Sequence, residues 1–279
     1  LDISDVSPDS VAGIKAAGLR ILAHDGAMQA VVISFWDMAN PQKYALADVR
    51  VRKALSLALN RKELADKLFS GYAEPDVTLY IRPTGYFWDS NVLKPDPYDP
   101  EGAKKLLAQA GYPGGFKTTA WLDQGVSAGA SFASASVGYY RQVGIGAELV
   151  PIEVRTLQGY FVPKMRPEIF DSIYALVHAG GVLQFEKMAT AYHSTKGVFH
   201  NNNNPKLDAL IDQVPMTKDL NEKKKLALEA AVMGRDEYSA FSALGVKTLI
   251  ALSSKVGGLS PIKGMAVLGA SLDTITHAK

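Results

Sequence analysis

The spacing of apolar residues predicts helices and strands that alternate along the chain. Between residues 48 and 59, apolar residues fall at 51, 54, 55, 58 and 59, the spacing of one helical face. Unbroken β-rich runs predict buried strands. The predicted strands are residues 29–35, 117–122, 145–152, 169–177 and 239–252. The predicted helices are residues 8–18, 48–59, 60–69, 99–111, 127–142, 153–164, 205–213 and 219–238.

Polar residues before several of these helices are typical helix caps. Ser, Asn and Asp accept hydrogen bonds from the first backbone N–H groups of a helix, and proline suits the first helical position. The predicted capping residues are Ser7, Asp48, Asn60, Asp99, Asn204 and Asp219. Residues 72–98 are rich in Pro, Tyr and Trp and lack a clear period, which predicts a long ordered loop.

Alternating strands and helices predict an α/β fold with a mixed, mostly parallel sheet flanked by helices. Ligands of such sheets bind beyond the carboxyl ends of strands. We therefore expect a binding site in the segments that follow Leu122 and Val177.

Composition excludes several classes of function. The 279 residues contain no cysteine, so disulfides, thiolate metal sites and a cysteine nucleophile are excluded. The net charge is +2 without a concentrated basic face, which argues against nucleic-acid binding. The run Lys223-Lys224-Lys225 lies on a predicted helix and is interpreted as a solvated surface. The apolar run of residues 28–36 is too short for a membrane helix.

The chain shows no recognisable catalytic or metal-binding motif. The phosphate-binding patterns GxxxxGKS/T and GxGxxG and the nucleophile pattern GxSxG are missing from the sequence. His193 and His200 are seven residues apart on a predicted loop, which is a weak metal pattern. We therefore predict no catalytic residues, no metal and no cofactor, and we do not expect an enzyme.

Aromatic residues are a better indication of a site. Trp36 and Trp121 lie near predicted strand ends, and Tyr80, Tyr86, Phe87 and Trp88 lie in the long loop. Rings in these positions are suited to the apolar wall of a cleft. The alternative is packing of the same rings in the core beneath the loop.

Residues 48–116 resemble the peptide/nickel class of extracellular solute-binding proteins of ABC importers. The matching segments, in order, are DVRVRKALS at 48–56, NRK at 60–62, GYA at 71–73, Pro75, YDPE at 98–101, AKKLL at 103–107 and AGYPGGF at 110–116. Weaker matches are YRQVGI at 140–145 and NPKLDALID at 204–212. The resemblance extends over about residues 28–260.

This resemblance implies a two-lobed, periplasmic-binding-protein-like fold that closes on a peptide or other small solute and delivers it to permease subunits. It places the protein in the periplasm, or outside the cell on a membrane anchor, and implies a monomer at full length. It also implies that most of the first lobe is missing, and no signal sequence is visible. We expect residues 1–40 to be the end of the first lobe and a hinge strand, 41–237 the second lobe, and 238–279 a return strand with a first-lobe remnant.

Two departures from the family pattern affect the expected solute. Peptide binders of the family hold the peptide amino group with an aspartate after the strand matching 169–177, yet residues 178–185 contain no acid. The family's arginine after the strand matching 117–122 is missing from residues 122–125 as well. Because a buried ammonium without a partner is costly, we predict a different solute, or a longer peptide bound mainly through its backbone.

The predicted site combines two strand-end loops. Trp121 would supply an apolar wall, Asp123, Gln124 and His178 hydrogen bonds, and Gly180 and Gly181 close backbone approach. Gln184 completes the second loop. One lobe forms half of a cleft, so we expect weak or absent binding by this chain alone.

Two alternatives stay open: a hydrolase with a loosely patterned active site, and a non-transport module that docks a protein through an exposed apolar patch.

Overall fold

A computed structural model describes residues 2–35, 44–78, 80–81, 85–123, 127–153, 156, 172–178, 185–197, 204–257 and 276–277. The strands are β1 Ile3–Val6, β2 Arg20–Phe35, β3 Ala73–Pro75, β4 Phe116–Asp123, β5 Ile145–Ile152, β6 Ser172–His178, β7 Ala240–Leu252, β8 Val256–Gly257 and β9 Thr276–His277. The α-helices are α1 Val11–Ala16, α2 Val49–Leu57, α3 Arg61–Phe69, α4 Pro100–Gln109, α5 Ser127–Gln142, α6 Phe185–His193, α7 Pro205–Met216 and α8 Leu220–Glu237. Short 3₁₀ helices cover Pro8–Ser10 and Ala45–Ala47.

The main sheet is mixed, and its strand order is β1-β7-β2-β6-β4-β5, with β3 also paired to β7. The predicted α/β class and the mixed sheet are confirmed. Among the described strands, however, the parallel part is confined to β4 with its neighbours β5 and β6, while the described pairs of β2 and β7 are all antiparallel. Apolar runs predict that a strand exists but not its direction, so the extent of the antiparallel half was not foreseen.

Strand β2 begins nine residues earlier than predicted, at Arg20 rather than residue 29. Its first half contains Arg20, His24, Asp25 and Gly26, which interrupt the apolar run from which strands are predicted. The ladder with β7 accommodates this stretch by a register shift between His24 and Gln29. Tertiary pairing with a long partner strand therefore overrides a weak local pattern.

Two large hydrophobic cores lie beside the sheet, and a small third cluster forms around Ile250, Leu252 and Val256. The first joins α2, α3, α4 and α5 to β4, β5 and β7, with Leu55, Phe132 and Tyr140 fully buried. The second joins α6, α7 and α8 to loop residues 77–93. A sheet with helices packed in two groups is the layered arrangement that the alternating pattern predicted.

Most of the predicted helix caps are present. The side chains of Asn60, Asp99 and Asn204 accept hydrogen bonds from backbone N–H groups of the first turns of α3, α4 and α7. Asp48 and Asp219 do the same for α2 and α8. Ser7 differs, because it makes no side-chain capping bond and precedes a 3₁₀ helix.

Helix α6 was not predicted, and it corrects the placement of His193. The sequence predicted a loop around this residue, but His193 is the last residue of α6 and is 2% exposed. The predicted helix over residues 153–164 falls almost entirely outside the described residues.

Candidate functional site

Three parallel strands end at the same edge of the main sheet. Asp123 and Ile152, the last residues of β4 and β5, are partners in the register. Leu122 of β4 pairs with Ala175 of β6, and β6 continues to His178. At about 3.3 Å per residue, His178 lies about 7 Å beyond the level of Asp123. The segments that follow residues 123 and 178 therefore start from adjacent strands, which is the position expected for a ligand site.

Only part of the predicted site falls within the described residues. The structure places the backbones of Asp123 and His178 at the strand ends. It describes Trp121 with its side chain. Gln124, Gly180, Gly181 and Gln184 lie outside the described residues, so their role stays a prediction.

Trp121 carries an unusual indole nitrogen. The side chain is half-buried and packs against the second core, and its Nε1 atom is buried without a hydrogen-bond partner among the described residues. Buried polar groups are usually satisfied, so an unpaired N–H two residues before a strand end is a feature to be explained.

The loop aromatics pack mainly in the second core. The Tyr80 and Phe87 rings meet the Phe185 ring edge-on, with centroids 5.2 and 5.9 Å apart. Trp88 is half-buried against the same core, whereas Tyr86 is 54% exposed. For Tyr80, Phe87 and Trp88 the alternative interpretation, core packing beneath the loop, therefore describes the structure.

A serine and a histidine approach each other away from the strand ends. His193 Nδ1 lies 3.0 Å from Ser239 Oγ, and both residues are buried. Burial lowers the pKa of His193 to about 4, far below the range that suits a general base at neutral pH. The Tyr80 ring meets the His193 ring edge-on, with 5.6 Å between the centroids. The pair therefore belongs to the core and lacks the access to solvent that a hydrolase needs.

A second buried polar group surrounds Arg61 at the start of α3. Its Nη1 donates to Ser56 O at 2.9 Å and its Nη2 to Ser56 Oγ at 2.6 Å. Ser56 Oγ and Tyr238 Oη each donate to the Asp96 carboxylate, at 2.6 and 3.0 Å. Burial lowers the pKa of Arg61, and nearby Asp96 opposes that shift. In the sequence, Arg61 stands out only as part of the matched NRK segment.

Among the described residues, His, Asp and Glu side chains do not gather in a group of three that could hold a metal ion. His200, the partner in the weak histidine pattern, lies outside the described residues.

Within the described ranges, none of the helices combines the length and apolar character that crossing a bilayer requires.

Comparison with protein families gives one match over most of the chain. The family described as "Bacterial extracellular solute-binding proteins, family 5 Middle" matches residues 1–197. Among curated proteins, the glutathione-binding protein GsiB of Escherichia coli (strain K12) is 38% identical over 104 residues. The same protein from Shigella flexneri serotype 5b (strain 8401) is 38% identical as well. Each match covers 37% of this chain and 20% of the relative.

Solved structures with a similar fold are longer than this chain. The ABC transporter substrate-binding protein CtaP from Listeria monocytogenes matches with a TM-score of 0.83 and 19% identity, over 100% of this chain and 56% of that one. The oligopeptide-binding protein AppA from Bacillus subtilis, solved with a nonapeptide, matches with a TM-score of 0.78 and 18% identity, also over 100% and 56%. This chain therefore spans about half the length of these structures, and at such identities the likeness shows the fold alone.

Proposed function

The chain belongs to family 5 of the bacterial extracellular solute-binding proteins, and from this membership we propose that it is part of the substrate-binding component of an ABC-type importer. In this role it binds a peptide or a related small solute in the periplasm or at the outer cell surface. It then delivers the solute, chemically unchanged, to the permease subunits. The full-length protein acts as a monomer.

The observation that carries this proposal is the shared edge at which β4, β5 and β6 end. Two of the segments that leave this edge contain the residues proposed to bind solute: Asp123 and Gln124 after β4, and His178, Gly180, Gly181 and Gln184 after β6. Trp121 adds an apolar ring and an indole N–H without a partner among the described residues. Apolar surface with a few polar groups is the usual lining of a solute site.

The proposed mechanism is closure of two lobes around the solute by bending at a hinge. We assign residues 41–237 to the second lobe, and residues 1–40 and 238–279 to hinge strands and the first lobe. Strands β2 and β7, which lie side by side and antiparallel, carry the proposed connections between the lobes. Closure stabilises the bound state because solute contacts form with both lobes at once.

The proposed solute is a peptide or a related small solute whose binding does not depend on the two charged anchors of the family's peptide binders. Residues 178–185 contain no acid, and residues 122–125 contain no arginine. The curated relatives are named for binding glutathione, and the B. subtilis structure contains a nonapeptide. A ligand held largely through its amide backbone suits an edge that offers hydrogen-bonding groups and glycines.

Chemical-shift titration of the ¹⁵N-labelled chain tests the proposal, with reduced glutathione and peptides of increasing length as probes. We expect weak, saturable shifts confined to Trp121, residues 123–124 and residues 178–184. Trp121→Ala should abolish the shifts, whereas Trp121→Phe should weaken them if the N–H contributes. Lys117→Ala, at the exposed amino end of β4, is the matched control and should leave them unchanged.

Two outcomes would count against the proposal. Shifts that map to the opposite end of β4 would place the site elsewhere. A tight complex formed by residues 1–279 alone would contradict the idea that this chain supplies half of a cleft.

A further inference from the structure

The Arg61 guanidinium has a donor that its protein partners leave unused. Arg61 is 5% exposed, and Ser56 accepts hydrogen bonds from both of its Nη atoms. Its Nε atom is buried and finds no acceptor among the described residues. Leaving a charged donor unpaired inside a protein costs free energy, so a partner for this N–H is expected.

The same side chain lines a small cavity. The cavity has a volume of about 10 Å³, which matches the room needed by a single water molecule. The charged residues that line it are Arg61, Lys94, Arg235, Asp76 and Asp96. Phe241 also lines the cavity, and its ring centre lies 5.7 Å from Arg61 Cζ.

Acceptors for a bound molecule are available in this cavity. Asp96 accepts from Ser56 Oγ on one oxygen and from Tyr238 Oη on the other. Asp76 accepts from Ser242 Oγ at 2.6 Å and from Val77 N at 2.9 Å. A carboxylate has about four acceptor positions, so the two bonds that Asp96 accepts leave it able to accept a further hydrogen bond.

The charges around the cavity determine the class of ligand. An anion would face the carboxylates of Asp76 and Asp96, and a cation would face the positive charges of Arg61, Lys94 and Arg235. A small neutral molecule that both accepts and donates hydrogen bonds suits every wall. We propose that this cavity binds one ordered water molecule, which accepts from Arg61 Nε and donates to the carboxylates of Asp96 and Asp76.

This water would connect segments that are far apart in the sequence. Arg61 begins α3, Asp96 belongs to the long loop, and Tyr238 follows the end of α8. Tyr238 has a φ of 50°, which is uncommon for a residue other than glycine. The water would link the Arg61 guanidinium to the Asp96 carboxylate, which accepts a hydrogen bond from the Tyr238 hydroxyl.

The first test measures magnetisation transfer from water to arginine Hε protons in the ¹⁵N-labelled full chain. We expect Arg61 Hε to show a water cross-peak with the sign of a long-lived bound water. Arg52 is the matched control, because it is equally buried and its Nε donates to the backbone oxygens of Glu237 and Tyr238, each at 3.1 Å. Its Hε should show no such peak, and a missing peak at Arg61 would overturn the proposal.

In the first test, the Ser56 hydroxyl proton exchanges with bulk water and could also produce a water cross-peak at Arg61 Hε. The second test therefore uses a crystal structure of the same chain at atomic resolution. We expect a density peak about 2.7 to 3.2 Å from Arg61 Nε and within the same reach of a carboxylate oxygen. A direct bond from Arg61 Nε to Asp76 or Asp96, or a cavity without such a peak, would refute the site. Both tests use the wild-type chain, so neither can fail because a substituted variant does not fold.

Discussion

The buried imidazole of His193 makes the stability of this protein depend on pH. Burial lowers its pKa from the usual 6.5 to about 4. Between these two values the unfolded chain binds a proton that the folded protein does not. The free energy of unfolding therefore falls as the pH drops from about 6.5 towards 4, and the loss is complete below the folded pKa.

We predict that His193→Gln removes this part of the pH dependence. In the wild type, the residue should account for about 3 kcal/mol of lost stability across the window, since one pKa unit corresponds to about 1.4 kcal/mol. Urea unfolding of both proteins at several pH values measures the difference. Carboxylates such as Asp208 titrate in both proteins, so their contribution to the pH dependence cancels in the difference between wild type and variant. Burial raises the pKa of Asp208, but hydrogen bonds from Thr195 and other favourable contacts outweigh it and lower the pKa. If the free energy of unfolding changes with pH in the same way in the wild type and the variant, His193 is not the source of this pH dependence.

A second residue-scale feature is Arg52, whose guanidinium donates hydrogen bonds to carbonyl groups from two distant parts of the chain. It is 5% exposed, and its Nη1 donates to Leu46 O at 3.0 Å and to Ala47 O at 2.8 Å. Its Nε donates to the backbone oxygens of Glu237 and Tyr238, each at 3.1 Å. Burial lowers the pKa of Arg52 to about 10, so it remains charged at neutral pH.

Arg52→Met should lower the free energy of unfolding by about 3 kcal/mol or more, because it leaves buried carbonyls without donors. Chemical denaturation measures the loss. Arg50→Met on the same helix is the control and should change stability much less, since Arg50 is exposed and pairs with Asp48 at the surface. If both variants lose the same free energy of unfolding, the buried hydrogen bonds of Arg52 contribute no more to stability than the surface pair of Arg50.

At the scale of elements, the starts of β4 and β5 approach each other through two glycines. Gly115 precedes β4 and has a φ of 77°, and Gly144 precedes β5 and has a φ of 95°. A methyl group on Gly115 would overlap the carbonyl carbon and oxygen of Gly144. The close parallel pairing of the two strands therefore requires glycine here for both space and backbone conformation.

Gly115→Ala should destabilise the protein by about 2 to 4 kcal/mol, since strain in φ adds to a backbone clash. Gly114→Ala is a close control, because a methyl group there meets nothing within 4 Å and φ is not positive. Thermal unfolding of the two variants should separate them clearly. Similar melting temperatures would argue that the β4–β5 junction relaxes without cost.

At the scale of the whole molecule, β7 lies inside the sheet and β5 at its edge. Strand β7 is paired with β2 on one side and with β1 and β3 on the other, and nearly all of its residues are buried. Strand β5 pairs only with β4 among the described strands, and several of its side chains are exposed. Local opening should therefore require less free energy at β5 than at β7.

Hydrogen exchange measures this difference directly. Backbone amides of residues 244–250 that bond to β2 should exchange at least about 100-fold more slowly than those of residues 146–151, because β7 opens only with the whole sheet. Mass spectrometry of overlapping peptides separates the two segments. Equal protection in β5 and β7 would mean that the sheet opens as one unit.

The local part of this fold could be read from the residues. Helix α5 and strand β5 have the bounds that the apolar spacing predicted, and Asn60, Asp99 and Asn204 cap the helices they precede. Such signals act within one or two turns of chain, so a single sequence contains them in full. The pattern of matched segments also led to the family that the comparison supports.

The tertiary structure alone decided which strands run antiparallel, where β2 begins, and that His193 and Arg61 are buried among distant partners. Ser239 and Asp96 lie far along the chain from the residues they contact, and their contacts depend on how the helices pack against the sheet. The sequence by itself determined most of the helices, the long strands except the start of β2, most of the helix caps, the lack of disulfides and the family resemblance, because those depend on nearby residues or on composition. Long-range pairing and burial depend on the free energy of the whole assembly, which no local pattern contains.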